Sequence, residues 1–231
     1  MVDQDNGLRA TSWDIGEMLR VYSQHWDLDR PVLFDKSPKQ MLEAKYVREG
    51  LLQAKLPRKM QKHGIQNLKR AYILLWRPVC LAHLSHNGRS AIEKLGQEDF
   101  ARKELKYYQQ FIENHRYLMD QGEPILVISV AELIWHPRRS QKRLEQFLPC
   151  AGKLDVNYVP RLGKDVFEGN DWKAKGSVVD FGKHVDSTNF YDLETGMCRG
   201  EENVFQFLPP AERKEATQAV NYLLKYSGIK R

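Results

Sequence analysis

The chain alternates short, continuous apolar runs with longer stretches of helical periodicity. Ile15, Leu19 and Tyr22 recur at helical spacing behind Thr11 or Ser12 as the capping residue. Val32 to Phe34 is an apolar run, read as a short strand that ends in Asp35, Lys36, Ser37 and Pro38. "PKQMLEAKYVREGLLQAKLPRKMQKHG" is helical at first, with Pro57 ending or kinking it. Tyr72 to Trp76 is the clearest strand, bounded by Arg77 and Pro78. Continuous rather than alternating apolarity predicts burial on both faces, as in a parallel sheet. A helix and a turn region follow over 79–96, and "EDFARKELKYYQQFIENHRYLMDQG" is a long amphipathic helix closed by Gly122. "PILVISVAELI" is a third strand running into a turn or helix start near Ala131. "PRRSQKRLEQFLPC" is a short helix with Leu144, Phe147 and Leu148 as its apolar stripe.

Strands alternating with helices predict an α/β unit with a mostly parallel sheet. In such sheets ligand sites form beyond the C-terminal ends of the strands. The expected organisation is one domain over 1–231: a core at about 26–155, an irregular Gly-, Lys- and Asp-rich region at 156–209, and a terminal helix at 210–228 starting near Pro210.

Composition narrows the partners more than the fold. With 231 residues, 42% hydrophobic and 29% charged, the chain reads as globular and not disordered. The net charge of +6 favours anionic partners, but 30 acidic residues are scattered among 36 basic ones, which does not indicate nucleic acid. A nucleotide with several phosphates would satisfy the same balance. Cys80, Cys150 and Cys198 form no C-x-x-C pair, which points to a reducing compartment and gives no zinc pattern. The opening "MVDQDNGLRATSWD" has no secretory pattern, and the longest apolar runs are too short to span a bilayer, so a cytoplasmic location without a membrane span is expected.

The candidate chemistry lies at strand ends. Arg77 follows the strongest strand, and Ser85 lies on the helix after it; a guanidinium fork with a hydroxyl suits a phosphate. A strand-end salt bridge for Arg77 and a neutral helix-surface place for Ser85 are the structural alternatives. Lys36 and Ser37 hold the corresponding position after the first strand. Ser37 also reads as a helix cap ahead of Pro38, a role compatible with anion binding at a helix N-terminus. The late patch at Lys173, Lys175, Gly176 and Ser177 could close over a phosphate or form a solvated loop. None of the seven histidines has a recognised metal spacing; His83 and His86 are three apart without a local third ligand. The sequence contains no P-loop, dinucleotide-binding or nucleophile-elbow motif. Tyr107, Tyr108, Phe111 and Tyr117 fall at helical spacing and read as a packing surface.

Taken together, three segments resemble the sulfotransferase family, in its carbohydrate and membrane-type branch. "PVLFDKSP" at 31–38 is similar to the strand whose following Lys sits near the transferring group. "AYILLWRPVCLAHLS" at 71–85 resembles the signature for the nucleotide 3'-phosphate, with Arg77 and, eight residues later, Ser85. "ILVISVAELIWHPRRSQKRLEQFLP" at 125–149 is similar to the later strand and helix on the adenine side. The resemblance implies a P-loop-containing nucleotide-hydrolase-like three-layer sandwich. It lacks the family's first strand and 5'-phosphosulfate loop, since nothing in residues 1–30 matches "PKSGTT". It further implies transfer of a sulfuryl group from 3'-phosphoadenosine 5'-phosphosulfate (PAPS) to a hydroxyl or amine of a small-molecule or glycan acceptor. Lys36 would then be catalytic, and Lys36, Ser37, Arg77 and Ser85 would bind the cofactor. Loss of the loop leaves a second expectation, a non-catalytic member of the same fold acting as a binding or assembly module.

Overall fold

The computed structural model describes residues 14–33, 43–84, 86–153, 191–192, 197–200 and 203–228. The chain divides into two compact units, Met1–Tyr72 with Glu113–Ile125, and Ile73–Ile112 with Leu126–Arg231.

In the first unit, α1 (Ile15–His25) starts at Asp14, whose carboxylate accepts from the Glu17 N–H at 3.0 Å. Asp14, not Thr11 or Ser12, is therefore the cap. Helix α2 (Ala44–Gln53) packs on α1 through Gly50, where a Cβ would lie 2.2 Å from Ile15 Cγ1. Pro57 precedes the short α3 (Arg58–Lys62). Glu123, with a side chain only 6% exposed, accepts from Arg48 Nε at 2.6 Å and Arg70 Nη2 at 3.1 Å. Two cations on one buried carboxylate tie α2 to the turn that Gly122 makes at φ +67°.

The second unit holds α4 (Val79–Leu84), α5 (His86–Leu95) and α7 (Val130–Trp135). It also holds α8 (Pro137–Phe147) and α9 (Pro210–Tyr226), a 17-residue helix with Pro210 in its first turn. Single turns of 3₁₀ helix lie at Pro149–Ala151 and Val204–Phe207. Helix α6 (Gln97–Asp120) contributes its residues up to Ile112 here.

Strands β1 (Tyr72–Trp76) and β2 (Ile125–Ser129) pair to form a two-stranded sheet. Tyr72 N–H donates to the Pro124 carbonyl at 2.9 Å, so the strands meet start to start and run in the same direction. β2 passes directly into α7, which Ser129 caps through its hydroxyl and the Ala131 N–H at 3.2 Å.

This sheet overturns the expected three-layer P-loop-like sandwich. Such a fold needs a sheet wide enough for helices on both faces. Among the described residues β1 and β2 are the two strands of an open sheet, and helix predominates. Val32 and Leu33, at the start of the expected first strand, lie in neither helix nor strand; Phe34 falls outside the described residues. Within β1, Leu74 and Trp76 are buried while Leu75 is 37% exposed. One face of the run is therefore covered, not two, and the inference from continuous apolarity fails at Leu75.

A buried polar hub locks the second unit. Glu132 on α7 has a fully buried side chain and accepts from Arg143 Nη1 of α8 at 2.6 Å. Arg143 also donates to the carbonyls of Val127, at 2.8 Å, and Ser227. The Ser227 hydroxyl accepts from Trp76 Nε1 and donates to the Leu223 carbonyl, joining β1 to the end of α9. Arg139 Nε stands 3.4 Å from the other Glu132 oxygen, an ion pair without hydrogen-bond alignment. Burial pushes the Glu132 carboxyl pKa up against the pull of both guanidiniums.

Candidate functional site

The C-terminal end of β1 opens onto a cavity of about 160 Å³ within the second unit. Its floor is aromatic. Trp76 and Tyr108 of α6 meet edge to face at 6.0 Å between centroids, and Tyr108 meets Phe205 edge to face at 5.5 Å. These geometries suit the ring quadrupoles and hold the three rings as a fixed set. Trp76 is pinned by its bond to Ser227, and Tyr108 donates to the Arg77 carbonyl at 2.7 Å. Burial raises the Tyr108 phenol well above its usual range, so it stays a neutral donor.

One wall is α9, which brings Arg213, Thr217 and Val220 to the cavity at helical spacing. The 3₁₀ turn at Val204–Phe207 adds Phe205 and Gln206, with Asn203 just before it. Pro78 and Val79, together with Met197 and Cys198, also line the cavity. Among these lining residues Arg213 carries the charge. Its Nη2 donates to the Leu208 carbonyl at 3.1 Å, which orients a fork whose five donors exceed that one bond.

Cys198 is joined to Cys80 of α4 by a disulfide, so two of the three cysteines are not thiols; Cys150 is free and exposed. The pair runs against the reducing compartment inferred from the lack of a C-x-x-C motif. Spacing alone could not reveal the pair, because the two residues are 118 positions apart.

The sequence-based site residues fare unevenly. Arg77 is half-buried at the end of β1, and its charge acts on Glu104, Tyr107 and Tyr108 of α6. Burial raises the Glu104 carboxyl, with Arg77 opposing the shift. Lys36, Ser37 and Ser85 lie outside the described residues, as does the patch at Lys173, Lys175, Gly176 and Ser177. The cavity lies beside Arg77, between its neighbours Trp76 and Pro78. Sequence reasoning singled out Arg77, next to two lining residues, and did not single out Phe205 or Arg213. The aromatic pair in "VFQF", just before the terminal helix, was the available signal.

No protein-family model, no curated protein and no solved structure matches the chain. Together with the open two-stranded sheet, this removes the support for a sulfotransferase-family member and for PAPS as cofactor. Sulfuryl transfer as the activity, and the non-catalytic member of that fold, fall with the fold itself. Among the described residues no group of His, Cys, Asp or Glu could hold a metal ion. No described helix is long and apolar enough to cross a membrane.

Proposed function

We propose that the protein is a small-molecule binding protein whose ligand is a single planar ring bearing an anionic group. The observation that carries this reading is the cavity itself: rings of Trp76, Tyr108 and Phe205 beside the oriented guanidinium of Arg213. Concave, largely apolar sites with a few placed polar groups are the usual form of a ligand pocket. A volume of about 160 Å³ limits the occupant to one ring; a dry apolar cavity of about 150 Å³ admits benzene. Asn203, Gln206 and Thr217 supply amide and hydroxyl partners in the lining. Among the described lining residues Arg213 is the one cation and no basic stripe is present, which favours a small ligand over nucleic acid.

Benzoate is the simplest probe. With about nine non-hydrogen atoms at roughly 0.5 kcal/mol each, its dissociation constant falls near the millimolar range. Titration is expected to shift the Trp76 indole N–H resonance and quench tryptophan fluorescence saturably. Arg213→Ala should weaken benzoate while leaving benzyl alcohol, which lacks the charge, little changed. The reading fails if none of these probes perturbs Trp76 at tens of millimolar, or if Arg213→Ala weakens the two ligands equally.

A further inference from the structure

Resting on that binding reading, we propose that the Cys80–Cys198 disulfide is a redox gate on the aromatic cavity. Oxidised, it holds Met197 and Cys198 in place as a wall; reduced by a dithiol, it releases that wall and weakens ligand binding.

The placement of the bond carries the argument. Trp76, Tyr108, Phe205 and Arg213 reach the cavity from a strand, two helices and a 3₁₀ turn, each with its own backbone hydrogen bonds. Met197 and Cys198 lie outside the described helices and named strands. They are tied by an isolated antiparallel bridge between Tyr191 and Cys198, and by the Asp192 N–H donating to the Met197 carbonyl at 2.8 Å. Their one covalent tie to α4 is the disulfide, supported by the Cys80 N–H, which points at Cys198 Sγ at 3.1 Å.

The two sulfurs differ in access. Cys80 is fully buried in a cluster with Leu81, Ala131, Ile134 and Tyr191, whereas Cys198 is half-buried and lines the cavity. A thiolate must therefore attack Cys198 Sγ, and a ligand in the cavity stands beside that sulfur. The exchange is complete without any further reactant. The first thiolate of the dithiol bonds to Cys198 Sγ, and the S–S bond breaks with Cys80 leaving as a thiolate that takes a proton. The second thiol of the reagent displaces Cys198 as a thiolate, which is protonated in turn. Two electrons pass to the protein, and the dithiol leaves as a cyclic disulfide. Linkage then requires reciprocity: if oxidation tightens ligand binding, ligand must favour the oxidised form by the same factor.

The test uses the full chain carrying Cys150→Ser, which removes the exposed thiol without touching the cavity. Benzoate is titrated against the oxidised protein, the dithiothreitol-reduced protein and the Cys80→Ser/Cys198→Ser variant, with far-UV circular dichroism confirming that each is folded. Affinity is expected to fall about tenfold on reduction, the size of an ordinary coupling between two sites. In parallel, the rate of dithiothreitol reduction of the oxidised protein is followed against benzoate concentration. This arm needs no change at Cys80 or Cys198 and no folded reduced state, and the rate should fall saturably. Equal affinity in both redox states, with a reduction rate indifferent to benzoate, overturns the gate and leaves the binding reading standing. Absence of benzoate binding in the oxidised protein overturns both. Free Cys80 and Cys198 thiols in protein purified without reductant overturn the gate alone.

Discussion

Removing Arg143 is the most informative single perturbation of the fold. Its guanidinium serves three acceptors: Glu132 Oε2 at 2.6 Å, the Val127 carbonyl at 2.8 Å and the Ser227 carbonyl. Glu132 is fully buried, so Arg143→Ala leaves a carboxylate in the interior with only the half-exposed Arg139 at 3.4 Å. Stripping one partner from a buried pair costs about 3–5 kcal/mol, and the residual Arg139 contact places the value near the lower end. Against a total stability of roughly 5–15 kcal/mol this is a large fraction. With a urea slope of roughly 2–3 kcal/mol/M, the midpoint should fall by about 1–1.5 M. Trp76, bonded to Ser227 within the same network, makes tryptophan fluorescence a direct readout. The double replacement Glu132→Leu with Arg143→Met removes the stranded charge and leaves two carbonyls short of a donor, a cost of about 1–2 kcal/mol. If Arg143→Ala costs under about 1 kcal/mol, or the double replacement costs as much as the single one, the hub is not what holds α7, α8 and α9 together.

Two further substitutions test the local physics. Glu104 has its carboxyl pKa raised by burial, so the folded state favours its protonated form and stability from this group is lost as pH rises from below the ordinary carboxylate range through the raised value. Glu104→Gln should therefore be more stable than the parent at neutral pH, with the difference vanishing in acid; urea midpoints across that range measure it, and a constant difference at all pH values refutes the assignment. Gly50→Ala raises helix propensity but places a Cβ 2.2 Å from Ile15 Cγ1, so thermal unfolding should show a net loss of about 1–3 kcal/mol where an open helix site would gain.

Local elements were legible because periodicity is a local property. Tyr72–Trp76, the run from Ile125 into a helix at Val130, and the helix opening at Pro210 all stand where the apolar pattern puts them. Sheet size was not legible, because a five-residue apolar run looks the same whether one face or both are covered, and Leu75 shows which holds here. The resemblance to a nucleotide-binding family rested on the order and spacing of three short segments, which do not fix how many strands the sheet has. The cavity was hidden for another reason. Its aromatic floor joins Trp76, Tyr108 and Phe205 from three distant segments, and each ring alone reads as ordinary core. Arg213 gave no signal among the neighbouring charges of "AERKEA". Strand-end position drew attention to Lys36 and Arg77, whereas the charge among the described lining residues is that of Arg213.

The covalent link between Cys80 and Cys198 also changes what a cut in the chain means. The bond closes a ring across 118 positions, half the protein, so a protease acting once anywhere inside it opens the ring without parting the molecule. Such a nicked protein would run as one species on a non-reducing gel and separate into two fragments only when a thiol is added. Damage within that half of the chain is thus stored silently until the protein meets a reductant.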